Sequence, residues 1–275
     1  AVTECGVGQH ITVNATLESD LSCVDCGFGN TDHDSNPYTA CESCGEGHEV
    51  IALRANGSCE LFQCNVGTVD DDRSASTPCV TCSVGHDLSR KALAGPCSEH
   101  VCAAGTIDRS SNVSTPCEAC GPGVYVPEQQ EGLCEQFICS IGLLDHDADA
   151  STPCEAVCGA GHFVPSGSFA TVLSKPCSTF KCAAGTTDAD GDPSTSCAVC
   201  SAGSYTPAGT SGAYDDHLCG VGMVDDDDRP DTPCVACASG SVSTPNRRSC
   251  TPCGADTFAD VVEEICSPCS TCSSS

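Results

Sequence analysis

Three kinds of residue in this chain have the type and spacing to do chemistry: alternating aspartates, C-x-x-C pairs, and histidines at a fixed distance from cysteine. The aspartates stand out. In "CAAGTTDADGDPSTSC" Asp188, Asp190 and Asp192 alternate around one glycine, and in "CSIGLLDHDADASTPC" Asp145, Asp147 and Asp149 do the same without it. Calcium takes roughly six to eight oxygen ligands, and alternating carboxylates can supply several from a single turn. These six aspartates are therefore the candidate calcium ligands, with calcium the one cofactor the residues suggest.

The D-x-D-G-D pattern resembles the calcium loops of EF-hands and of thrombospondin type 3 repeats, with two departures. Pro193 and Cys197 stand where an EF-hand carries a distal bidentate Glu, and the sister loops lose the alternation: Asp70, Asp71 and Asp72 are consecutive, and Asp108 stands nearly alone. The competing reading is a solvated acidic turn that favours solubility. His48, His86 and His162 each lie four residues past a cysteine and His10 lies five past one. A zinc site needs such groups to converge, whereas a repeat spaces them apart. The C-x-x-C pairs recur throughout with no βαβ context, unlike a redox-active pair. No Ser/His/Asp arrangement, phosphate-binding loop or supported carboxylate pair is present, so the expectation is a protein that is not an enzyme.

The elements that hold these residues must be unusual. Leu, Ile, Val and Phe number 11, 6, 23 and 7, only 47 of 275 residues, with no Trp, one Met and a net charge of −28. So little apolar surface cannot normally offset chain entropy, and such a chain would be disordered. The 29 cysteines reverse that expectation, because they mark a disulfide scaffold. Disulfides persist in oxidising compartments, so the expected location is extracellular, secreted or on a cell-surface appendage. No run of 18 apolar residues occurs, so no membrane span is expected. The charge excludes nucleic acid as a partner. The opening "AVTEC" suits a cleaved N-terminus or a fragment's start.

Cys41, Cys79, Cys117, Cys154, Cys197 and Cys234 are separated by 38, 38, 37, 43 and 37 residues. A period of this size indicates an array whose units contact mainly their neighbours. The expected fold is small disulfide-rich repeats: an elongated tandem array of short β-hairpins and loops with little regular secondary structure. The divisions are 1–40 as an irregular first repeat, repeats at 41–78, 79–116, 117–153 and 154–196, a repeat lacking one cysteine at 197–233, and a C-terminal module at 234–275. Runs such as "VYV" and "HFV" suit strands of two or three residues; "TFADVVEEIC" at 257–266 suits one helical turn.

Spacing cannot prove connectivity, and two schemes compete. Pairing each cysteine with the next across a long loop gives Cys5–Cys23, Cys26–Cys41, Cys44–Cys59, Cys64–Cys79, Cys82–Cys97, Cys102–Cys117 and Cys120–Cys134. It continues with Cys139–Cys154, Cys158–Cys177, Cys182–Cys197, Cys219–Cys234, Cys237–Cys250 and Cys253–Cys266. A crossed scheme within each unit strands Cys23, and the sequential scheme is favoured. It leaves Cys200, Cys269 and Cys272, with Tyr214 where the partner of Cys200 belongs. These three are the candidates for bonds to another chain. Asn14, Asn56 and Asn112 lie in N-x-S/T sequons in polar loops and are expected to carry N-linked glycans. The repeated S-T-P is an O-linked candidate.

The units resemble the cysteine-rich repeats of tumour necrosis factor receptors and the ephrin-receptor-like cysteine-rich modules, most closely in the tail "CTPCGADTFADVVEEICSPC". The central units look more like C-x-x-G-x-x-D-x-D repeats of protist surface proteins and flagellar hairs (mastigonemes). Some disulfides of the receptor modules cross, which keeps the crossed scheme open. The resemblance implies an extracellular chain of modules. The expectation is a structural protein: a disulfide-stapled rod that assembles with copies of itself or with other chains into a fibre, flagellar hair or surface coat. The alternatives are an adhesin or receptor ectodomain that binds another protein, and a calcium-rigidified spacer.

Overall fold

The computed structural model describes residues 4–14, 16, 20–260 and 262–269. Its regular structure is seven two-stranded antiparallel sheets: β1 (Gln9–Val13) with β2 (Ser22–Asp25), β3 (Asn30–Thr31) with β4 (Glu42–Ser43), and β5 (Thr106–Ile107) with β6 (Glu118–Ala119). Then come β7 (Thr186–Thr187) with β8 (Ala198–Val199), β9 (Met223–Val224) with β10 (Val235–Ala236), β11 (Ser241–Ser243) with β12 (Cys250–Pro252), and β13 (Thr257–Asp260) with β14 (Ile265–Pro268). In the loops closed by Cys64–Cys79 and Cys139–Cys154 the same pairing shrinks to single bridges, Val69 with Val80 and Leu144 with Glu155. Short 3-10 turns at Cys59–Phe62, Cys97–Glu99, Cys134–Phe137, Pro176–Thr179 and Tyr214–His217 mark the closing ends of the intervening loops.

The helical turn expected at 257–266 is instead the β13–β14 hairpin, with Phe258 opposite Ser267 and Ala259 opposite Cys266. Glu264 takes a positive φ of 54° in the reversal, and the Cys253–Cys266 bond closes the loop.

The thirteen described disulfides join the pairs of the sequential scheme, from Cys5–Cys23 to Cys253–Cys266. Their Cα–Cα distances run from 5.4 to 5.8 Å, within the ordinary range for an S–S bond. Each bond closes a local loop, and no two of these loops cross.

The residues gather into two compact units, one of residues up to 121 with Val126–Phe137, the other of Pro122–Tyr125 with Ile138 onward. Both are built alike, around about one fully enclosed side chain per loop. In the first unit these are Thr31, Val50, Val69, Leu88, Ile107 and Val126; in the second, Leu144, Val164, Thr187, Thr206 and Val224. Half-cystines supply much of the remaining apolar contact: Leu144 and Val164 pack with Cys158 and Ala170, flanked by Cys177 and Phe180. Threonine stands in for an aliphatic residue only where its hydroxyl finds an acceptor. Thr31 Oγ1 donates to Gly57 O at 2.7 Å and Thr187 Oγ1 to Gly212 O at 2.8 Å.

Two glycines show how closely successive loops approach. At Gly161, φ is +84° and a Cβ would lie 2.2 Å from the Gly209 carbonyl oxygen of the next like loop. At Gly191 the φ is +73°, but a Cβ would meet Ala160 Cβ at 3.6 Å. Ala148 already occupies the matching place with φ 58°. Gly191→Ala is therefore expected to cost about 1 kcal/mol, the left-handed penalty alone. Gly161→Ala should cost at least about 3 kcal/mol, because a backbone carbonyl must also move. Denaturant midpoints of the two variants check the order, and equal losses would contradict it.

Candidate functional site in the acidic loops

Six loops, 26–41, 64–79, 102–117, 139–154, 182–197 and 219–234, place an aspartate six residues past their first cysteine. These residues, Asp32, Asp70, Asp108, Asp145, Asp188 and Asp225, are all 5% exposed or less. Burying a carboxylate is costly unless its oxygens are satisfied, and here main-chain amides bond one oxygen of Asp32 and both oxygens of the other five. Asp70 Oδ2 accepts from Gly47 N of the preceding loop at 2.9 Å, and Oδ1 accepts from Ser74 N of its own turn at 2.9 Å. The backbone of Asp70 serves the following loop: its N–H donates to Leu93 O at 3.0 Å and its carbonyl accepts from Gly95 N at 2.8 Å. One residue thus ties three loops together.

The bond from the preceding glycine recurs at every such aspartate: Gly8 to Asp32, Gly85 to Asp108, Gly123 to Asp145, Gly161 to Asp188 and Gly203 to Asp225, at 2.8–3.2 Å. Charge-assisted bonds of this kind are the stronger class.

The second aspartate has a different task. Asp34, Asp72, Asp147, Asp190 and Asp227 accept the hydroxyls of Thr39, Thr77, Thr152, Thr195 and Thr232 at 2.7–2.8 Å. This hydrogen bond is the main reason that the carboxyl groups of Asp72, Asp147 and Asp190 lie below the ordinary value of 3.8. In the loop 102–117 Ser110 takes the place of that carboxylate and bonds Thr115 at 2.5 Å. A sugar on the S-T-P threonine would replace the proton given to the carboxylate. The third aspartates, Asp149 and Asp192, accept the N–H of Ser151 and Ser194 at 2.9 Å.

Every calcium candidate is therefore hydrogen-bonded within its own loop or to the loop before it. Asp145 and Asp188 spend both oxygens on amides. Among the described residues, the group whose ligand atoms approach within 4.8 Å of one another is His10, Cys26 and Cys41, not a set of carboxylates. Cys26 and Cys41 are bonded to each other, so that triad is a disulfide with His10 Nδ1 resting 3.3 Å from Cys41 Sγ. Among the described residues no three carboxylates bring an oxygen each within 4.8 Å of one another.

The repeated histidines are turn residues. His48, His86 and His162 place Nδ1 at 2.7–3.0 Å from the carbonyls of Gly45, Ser83 and Gly159 in their own turns. Ser204 does the same with its hydroxyl, 2.7 Å from Ser201 O.

The interchain candidates are redistributed. Cys200 is the free cysteine among the described residues and is 4% exposed, so it presents no sulfur to another chain. Tyr214 fills the partner's place: its Oη donates to Ala202 O at 3.4 Å, and burial pushes its phenol above the ordinary value of 10.0. Cys269 is disulfide-bonded, which also removes it from the expected set; Cys272 lies outside the described residues. Cys200 and position 214 stand as far apart in sequence as Cys120 and Cys134, which do pair, at a separation of 14. Tyr214→Cys is therefore expected to form a new disulfide with Cys200 and to add up to about 3 kcal/mol from loop closure. Thiol titration of the denatured protein should then count one reactive thiol fewer, whereas a count raised by one would contradict the geometry.

Asn14, Asn56 and Asn112 are all exposed. Asn112 Oδ1 accepts from Ser114 N at 3.0 Å and Asn56 Oδ1 from Ser35 Oγ at 2.9 Å.

The sequence pattern alone does not announce the role of the first aspartate, although it holds a signal. The offset of that residue from cysteine is the same in all six acidic loops, whereas the second and third aspartates come and go. No protein-family model matches the chain, and no curated protein is similar to it.

Proposed function

We propose that this chain is a non-enzymatic extracellular structural protein, a disulfide-stapled rod that assembles into a fibre or surface coat. The observation that supports the reading is the sixfold recurrence of one bonding node, the glycine amide on a buried aspartate, at one offset in each acidic loop. A unit bonded to its neighbours in the same way each time presents the same surface at regular intervals. A fibre needs that property and a catalyst does not. Thirteen described disulfides suit an oxidising compartment, and no described helix is long and apolar enough to cross a membrane.

The test is to express the oxidised chain through a secretory route, concentrate it near physiological salt and image it by negative-stain electron microscopy. Extended particles that join into filaments are expected. A monodisperse monomer over the whole concentration range would overturn the assembly part, and compact globular particles would overturn the rod.

A further inference from the structure

The chain has ten Lys and Arg residues against 38 Asp and Glu. Six of the ten are used internally: Arg54, Arg73, Arg109, Arg229, Arg247 and Arg248 each form an ion pair with a carboxylate of the same chain. Lys175 and Lys181 have no such pair among the described residues, and both are exposed. They line one shallow concavity with His162, over a floor of Val157, Pro176 and Cys177, and no carboxylate lines it. Arg90 and Lys91 are likewise exposed and without an ion pair among the described residues; Lys175 and Lys181 are set apart by sharing one concavity with an apolar floor, in a chain of net charge −28.

The concavity lies where the repeat is interrupted. Cys158 and Cys177 are 19 residues apart, the longest separation of the thirteen described disulfides. The extra length brings Val172 and Leu173 to the surface, 47% and 62% exposed, and ends at Lys175. The stem of Lys181 lies against Gly209 of the next like loop. His162 Nδ1 is turned back to Gly159 O at 2.9 Å.

We propose that this concavity receives the tip of an acidic loop from a second copy of the chain. The inference rests on the assembly reading above and names the surface by which copies join. Charge complementarity selects the occupant. Asp71 and Asp226 stand seven residues past the first cysteine of their loops, at exposed tips, and have no hydrogen-bond or ion-pair partner among the described residues. At physiological salt the screening length is about 8 Å, so net repulsion between chains is damped while contact pairs survive. The exposed Val172 and Leu173 would then be covered at the rim.

The experiment uses the full oxidised chain, mixed from isotopically light and heavy batches and treated with a carbodiimide, which joins an amine to a carboxylate in contact. Light–heavy cross-linked peptides linking Lys175 or Lys181 to Asp71 or Asp226 are expected. In sedimentation, K175E/K181E should raise the concentration for half-assembly about tenfold or more, because attraction becomes repulsion. R90E/K91E makes the same charge change at exposed residues that do not line the concavity and should shift it by less than about threefold. Mixing K175E/K181E with D71K/D226K should restore assembly, which a merely structural role for the lysines would not allow. Assembly that proceeds unchanged in K175E/K181E, or cross-links confined to other lysines, overturns this inference and leaves the fibre reading standing. A wild-type chain that stays monomeric overturns both.

Discussion

Complete reduction and alkylation of this protein is expected to abolish its ordered structure at any temperature. A closed loop of about 15 residues contributes roughly 3 kcal/mol by restricting the unfolded chain. Thirteen such loops together reach tens of kcal/mol as an upper bound, since neighbouring loops are not independent. Nothing else in the molecule approaches that figure. The interior is about one enclosed Val, Leu, Ile or Thr per loop, interleaved with half-cystines. Four of the seven hairpins have strands only two residues long, and an isolated hairpin is marginal in water. Amide chemical-shift dispersion before and after blocking is the measurement. A collapse to the narrow range of a disordered chain is expected, and dispersion that survives full alkylation would show that apolar packing alone holds the fold. Removing one bond by pairing Cys139→Ser with Cys154→Ser should cost about 2–5 kcal/mol. Faster hydrogen exchange should be confined to that loop and its neighbours, because the array is bonded mainly between neighbours.

The largest effect of a single side chain is expected at a buried aspartate. Asp188 is 1% exposed, with Oδ2 on Gly161 N at 2.8 Å and Oδ1 on Gly191 N at 3.0 Å. In Asp188→Asn one oxygen still accepts, but the new NH₂ faces an N–H, so a buried donor loses its acceptor. That loss is expected to cost about 2–4 kcal/mol. It should speed exchange of the Gly161 amide about thirtyfold or more if opening is local. Asp192→Asn is the comparison. Asp192 is exposed and its Oδ1 accepts only Ser194 N, a bond that Asn can keep, so the change should stay within about 0.5 kcal/mol. If the alternating carboxylates were chiefly an ion cage, the two substitutions would weaken the loop alike, and only in the presence of calcium. A stability gap that persists in chelator supports the structural node.

Much of this architecture is legible in the residues. The near-constant cysteine period, the recurring close cysteine pairs and the scarcity of large apolar side chains point to a stapled array of hairpins. Pairing each cysteine with the next across a loop uses all of the irregular N-terminal cysteines, Cys5, Cys23 and Cys26. The hairpin at 257–268 resembles a helical turn in sequence because Val261, Val262 and Glu263 break the alternation that would mark a strand; the flanking Cys253–Cys266 bond holds the two arms together regardless. The glycine of the D-x-D-G-D segment has a backbone role of its own. Gly191 stands at a left-handed turn position that Ser35, Arg73, Ser111, Ala148 and Asp228 fill in the sister loops, so it marks the turn that all these loops share. Asp108, nearly alone in its loop, holds the buried position, accepting from Gly85 N and Asn112 N.

The division follows the range of the interactions. Disulfide closure acts within a loop, over 13 to 19 residues of chain, so the order of the cysteines along the sequence already determined the repeat and favoured these staples, while the choice against a crossed scheme came from the structure. The aspartate nodes join residues 22 to 27 positions apart, from one loop to another across a cysteine pair. Which carboxylate is buried there, that Tyr214 seals Cys200, and that Lys175 and Lys181 share one concavity were decided only by how the loops pack. Burial and convergence belong to the packed arrangement; the constant offset of the first aspartate from cysteine marks the position without stating what it bonds.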